Sequence, residues 1–203
     1  EYLRQFALDE DHLSSAVSTM REMMTAIPIK VIPRDTTVKS HHRQAEEYQS
    51  LLLNNFTSIS NPVSDGWGDG FGSFLQDFWT QDNGGFAAIE GPGNPNGPVI
   101  GMPTSIYQLD AGDCVRTGNR EYPITYRHPN SKWYRIHHTR LLNLTSASSP
   151  SSALCGVGFC SVSRAIYYSQ VMRDIAIYKS EKLGGRQRRG ILVGNGIPTD
   201  AIE

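Results

Sequence analysis

Between Phe159 and Leu183 no proline or glycine interrupts the chain, and apolar residues recur at Val162, Ala165, Ile166, Tyr168, Val171, Met172, Ile175, Ala176 and Tyr178. That spacing predicts a helix apolar around much of its circumference and buried on more than one side. At about 1.5 Å per residue it would run roughly 35 Å. Gly184 follows as a left-handed stop that a residue with a side chain would resist. Ahead of the helix lie an extended basic segment, Trp133 to Leu144, and a loop of small residues, Thr145 to Gly158.

Asp9 to Ile27 has the pattern of an amphipathic helix, with Asp9 as N-cap and a stripe of Leu13, Val17, Met20, Met24 and Ile27. Pro28 blocks its continuation, and Ile29 to Ile32 fits a short strand or extended segment before Pro33. A second helix is expected over Ser40 to Phe56. After a break marked by Asn61-Pro62 and Asp65-Gly66, a third spans Asp69 to Asp82, dense in Phe71, Phe74, Phe78 and Trp79. Those rings must be buried against something. From Gly85 the period changes to that of strands. Phe86 to Glu90 and Val99 to Met102 read as a hairpin, followed by Ser105 to Asp110 and Cys114 to Arg116. A further hairpin pairs Ile124 to Arg127 with Trp133 to His137. The expected class is α+β: helices, an inserted small antiparallel sheet or partly closed barrel, and the long buried helix 159–183. Its segments are a helical part (1–84), a β-rich part (85–144) and a loop, long helix and strand (145–203).

With 203 residues, 38% hydrophobic and 19% charged, the chain suits one sizeable domain or two small ones rather than a disordered segment. Nineteen basic against twenty acidic residues leave a net charge of −1, without the basic excess of a protein that grips nucleic acid through phosphates. Three cysteines, Cys114, Cys155 and Cys160, leave at least one unpaired and fit a reducing compartment. No run approaches the roughly 20 apolar residues of a membrane span.

The six histidines and three cysteines match no closed zinc spacing, and adjacent His137 and His138 on a strand would point to opposite faces. No cofactor is expected. Cys155, in a glycine-flanked loop after His137 and His138, has the residue types of a Cys–His nucleophile pair but no local signature of one. Gly156-Val157-Gly158 lacks the Gly-Lys-Ser/Thr of a P-loop. Arg186, Arg188 and Arg189 form the densest basic cluster. They, with His137, His138 and Arg140, are candidates for a subunit interface or for loose phosphate contact.

A strand ending in the basic IHHTR, a polar loop, Gly-x-Gly, a long helix, Gly-Gly, a basic turn and the short strand GILVGNG follow one another here. This order resembles that of bacteriophage portal proteins, in which comparable elements lead from the wing toward the stem; SIYQLD matches a strand of the same β-rich wing. The resemblance covers most of the chain. It implies a structural, non-hydrolysing subunit of a dodecameric ring at one capsid vertex of a tailed phage virion. Such a ring passes double-stranded DNA during packaging and ejection. Its implied partners are further copies of itself, the major capsid protein, the terminase motor and a head–tail adaptor. The chain starts at Glu1 without Met and ends at Glu203. The expectation is therefore a fragment whose stem, clip and crown lie downstream. The alternatives are a cytosolic Cys/His hydrolase using Cys155, and another virion connector or DNA-binding module.

Overall fold

The structure, a computed structural model, describes residues 2–59 and 66–183. The fold is α+β. The chain divides into two compact units, Glu1–Ile166 and Tyr167–Glu203.

Helix α1 (Tyr2–Asp9) opens the first unit and α2 (Asp11–Thr25) follows after a single residue. The helix expected over Asp9 to Ile27 is α2, entered two residues later with Glu10 rather than Asp9 as its cap, and α1 was not expected. Glu10 separates the two helices: its backbone is extended, and its side chain accepts a hydrogen bond from the Leu13 N–H at 2.6 Å, capping α2. Of the two expectations for 29–32, strand or extended segment, the strand does not form. Helix α3 (Lys39–Asn54) is followed at once by β1 (Phe56–Ser58), so Phe56 belongs to a strand rather than to the helix end.

Helix α4 (Gly66–Thr80) begins three residues before the expected Asp69, because glycines at 66, 68, 70 and 72 look like a break when read alone. Two of them lie where α4 touches its neighbours, and Gly70 is the one that must stay glycine there. A Cβ at Gly70 would lie 2.3 Å from the Phe56 carbonyl oxygen of β1, and one at Gly72 would lie 2.5 Å from Nε of Arg21 on α2. Close approach decides the matter over intrinsic propensity. The aromatic segment is largely packed, as its density required: Phe74 and Leu75 are buried, and the Trp67 and Phe71 rings stack at 4.0 Å.

Strands β2 (Gly85–Glu90), β3 (Ser105–Leu109) and β7 (Leu141–Leu144) join β1 in a sheet of order β1-β3-β2-β7. It is mixed, since β1 pairs parallel with β3. Strands β4 (Cys114–Arg116), β5 (Ile124–Arg127) and β6 (Trp133–Ile136) form a second, antiparallel sheet. The two sheets are open, so the partly closed barrel is not what forms. Nor is Val99 to Met102 a strand. The partner of β2 is β3, and residues 91–104 make a structured loop closed by the Ile100 N–H on the Pro92 carbonyl at 3.0 Å.

Strand alternation builds layers. In the β2–β3 register Phe86 faces Leu109 and Ala88 faces Tyr107, while Ala87 and Ile106 point the other way. Phe86 and Leu109 join Cys114, Ile124 and Tyr126 of the second sheet in one core. Ala87 and Ile106 join Leu51 of α3, Phe56 and Phe74 of α4 in another. Burying a side chain such as Phe86 contributes about 2–3 kcal/mol, so each face of the mixed sheet has its own anchor. The order through the unit is α2, α4, mixed sheet, antiparallel sheet.

Helix α5 (Ser161–Leu183) forms as one continuous 23-residue helix, as the pattern required. Its burial does not follow. Val162 is buried with Cys160, Phe6 and Ala7, but from Tyr167 onward every residue except Ser169 is exposed. Tyr168, Ile175 and Tyr178 are 71%, 48% and 60% accessible. Periodicity counts apolar positions without showing what covers them, and among the described residues nothing covers these. The stop at Gly184 and the strand 191–193 lie outside the described residues.

Candidate functional site

The sequence candidates with described coordinates meet at one turn. β6 ends at Ile136, His137 caps a single 3-10 turn over His138–Arg140, and β7 starts at Leu141. His137 is buried; its Nδ1 accepts from the Thr139 N–H and lies 2.9 Å from the Thr139 hydroxyl. Because the pair sits on this turn and not on a strand, the His137 and His138 rings lie side by side, with centroids 4.3 Å apart. That corrects the expectation of opposite faces. Even so, no group of three or more His, Cys, Asp or Glu among the described residues is placed to hold a metal ion.

Arg140 is 6% exposed. Its guanidinium donates to the backbone carbonyls of Ile89, Gly91, Pro92, Asn94, Gly97 and Pro98, the shortest being 2.7 Å from Nε to Gly97. A cation normally needs a carboxylate to be buried; here converging carbonyl dipoles take that role. Arg140 is therefore the internal clamp of the 91–98 loop and presents no surface for a phosphate. His138 is exposed. Arg186, Arg188 and Arg189 lie outside the described residues.

Two polar clusters were not foreseen. Asp77 of α4 is buried, and it accepts from Arg4 Nη2 of α1 at 2.8 Å, from Gln108 Nε2 of β3 at 2.8 Å and from the Ala111 N–H at 3.2 Å. Gln108 in turn accepts from the Ser58 hydroxyl at 2.7 Å, and Arg4 also donates to both oxygens of Asp110. Burial pushes the Asp77 carboxyl up to about 6 even though Arg4 and the Ala111 N–H favour its charged form. Asp110, more exposed and bonded to Arg4 and the Gly112 N–H, is held below the usual carboxylate range. The second cluster lies at the end of α4. Asp82 accepts from the Cys160 N–H at 2.8 Å and the Ser163 hydroxyl at 2.7 Å, fastening the start of α5. Beside it Arg116 donates to Asn83, Thr145 and the Cys155 carbonyl, and lies 5.1 Å over the Phe86 ring. Lone Asp, Arg and Asn residues carry no periodic signal, which is why neither cluster stood out in the sequence.

The chemistry of the cysteines follows from their surroundings. Burial pushes the Cys114 and Cys160 thiols up, away from the thiolate form. Cys155, held in a left-handed conformation at φ 47°, donates its thiol to the Ser152 carbonyl at 3.4 Å. Its hydrogen bonds among the described residues go to Ser152 and Arg116 rather than to His137 or His138. All three cysteines are free. Between the two sheets opens a cleft of about 330 Å³ bordered by Tyr107, Tyr126, His128 and Tyr134. The Tyr126 hydroxyl is buried without a hydrogen-bond partner, and burial pushes its pKa up to about 12.

No family model matches this chain, and no curated protein matches it. Among the described residues, no helix is long and apolar enough to cross a membrane.

Proposed function

We propose that this chain is the wing region of a bacteriophage portal subunit: a structural component of a ring at a capsid vertex, through which double-stranded DNA passes during packaging and ejection. Its partners would be further copies of itself, arranged as a dodecamer by the resemblance, together with the capsid protein, the terminase and a head–tail adaptor. Energy for DNA movement would come from the motor, and the subunit would contribute shape. Identical copies packed head to tail around an axis each present two different faces.

Burial of α5 inside its own chain does not support this reading, because the helix is exposed. One observation carries it instead. Tyr167, Tyr168, Val171, Met172, Ile175, Ile177 and Tyr178 leave a continuous helix apolar and accessible on several sides. A soluble protein keeps such a surface where another molecule covers it. The order of strand, turn, small-residue loop and long helix also accords with the resemblance. The near-neutral charge suits a conduit rather than a clamp on DNA.

The test is electron microscopy of the purified intact gene product, viewed end-on. Annular particles with a central opening are the expected result. Monomers alone, across the micromolar range and above, would count decisively against a ring.

A further inference from the structure

The cleft between the two sheets has aromatic walls. On the mixed-sheet side it is bordered by Ala88 and Tyr107, register partners on β2 and β3. Opposite them stand Tyr126 and Tyr134, register partners on β5 and β6, with His128 just past the end of β5. The His128 ring is edge to face with both, its centroid 6.3 Å from that of Tyr126 and 5.9 Å from that of Tyr134. At about 330 Å³ the space has the size of a site for a small organic molecule. Ala88 helps to keep it open, since a larger side chain there would fill it.

One polar group of this wall is unmet. Tyr126 is 3% exposed, and its hydroxyl is shut off from solvent without a hydrogen-bond partner among the described residues. A buried donor left without an acceptor costs stability, and folds rarely keep one. Two other polar groups on the border are already engaged. The Glu90 carboxylate accepts from the Ser105 hydroxyl at 2.8 Å, and the Arg140 guanidinium is held by carbonyls of the 91–98 loop. Burial keeps the Tyr126 hydroxyl protonated, so it has a hydrogen to offer. Tyr134, 41% accessible, is the most exposed of the four rings and is the wall that can turn aside to admit a molecule.

We infer that this cleft binds a small planar aromatic molecule carrying a carbonyl oxygen, which packs its ring against the tyrosines and accepts a hydrogen bond from the Tyr126 hydroxyl. Aromatic walls reward a flat π system through stacked and edge-to-face contacts, and the unmet O–H calls for the acceptor. The site lies within the first unit and does not depend on assembly of copies.

NMR titration of the isotope-labelled protein with benzamide, and with toluene as a ring lacking the acceptor, tests this. Benzamide is expected to shift the amide signals of β5 and β6 saturably. Tyr126→Phe keeps the ring and removes the hydroxyl alone; it is expected to weaken benzamide about fivefold or more while changing toluene binding less than about twofold. The same variant is expected to melt at a higher temperature than wild type without ligand, because the unmet donor is gone. Ala88→Leu fills the cleft and is expected to abolish the binding of both probes. Benzamide that fails to bind, or that binds Tyr126→Phe as well as wild type, overturns the inference. Binding that survives Ala88→Leu lies elsewhere and overturns it too. So does a lower melting temperature for Tyr126→Phe, which would mean that the hydroxyl is already bonded in the free protein, for instance to an enclosed water.

Discussion

Asp77 ties the stability of the fold to pH. Its partners face it from three directions: Arg4 on α1, Gln108 on β3 and the Ala111 N–H, with Asp110 and the thiol of Cys114 close by. Its carboxyl protonates at about 6 in the folded protein against 3.8 in an open chain. The folded state therefore takes up a proton first as pH falls. The resulting stabilisation is complete below about 3.8 and is lost as pH rises through about 6. Asp110 works the opposite way, contributing stability that disappears as pH falls through its own lowered value. Urea unfolding should show wild type gaining about 1 kcal/mol between pH 7 and pH 5 relative to Asp77→Asn. Parallel curves for the two proteins would contradict this account of the site. A second test concerns Arg140. Replacing it with Met leaves six carbonyls short of a donor, at a cost of about 2–3 kcal/mol, and the 91–104 loop should become the first site of limited proteolysis. Arg140 was visible in the sequence as one of a basic group, yet its role was not. Its partners are carbonyls more than 40 residues away in the chain, and carbonyls leave no trace in a residue pattern.

The elements were more legible than their edges. Strands β2, β3, β4, β5 and β6 and the four longest helices all fall where alternation or three-and-four spacing places them. What escaped was set by contacts remote in sequence. β1 is three residues long and exists because its backbone pairs with β3. The break at Glu10 depends on a side chain choosing a cap, and α4 tolerates glycines because neighbours press on them. That last point is open to measurement. Gly70→Ala would drive a methyl into the rigid Phe56 backbone and should destabilise by about 2–3 kcal/mol. Gly72→Ala meets only the movable end of Arg21, and the helix gains up to about 1 kcal/mol from alanine, so the net change should be near zero. Equal effects at the two positions would show that packing on β1 does not dictate the glycine. The missed exposure of α5 has a different origin, since a helix apolar on several sides has the same sequence whether its own chain or another covers it.

At the scale of the molecule, the first unit is a stack of α2, α4, the mixed sheet and the antiparallel sheet. The class, α+β, could be read from the change of period at Gly85, but the stacking order could not, because it depends on which strand faces which core.

The clamp on residues 91–98 grips main chain alone. No side chain of Pro92, Pro95 or Pro98 contributes an atom to the bonds that Arg140 makes, whereas Gly93, at φ 106° with the Pro98 carbonyl 2.9 Å from where a Cβ would sit, has to stay glycine. Letters at most of these sites are thus interchangeable while the contour persists. A lineage under pressure to alter what this projection touches can rewrite it one position at a time without loosening the hinge pin beneath.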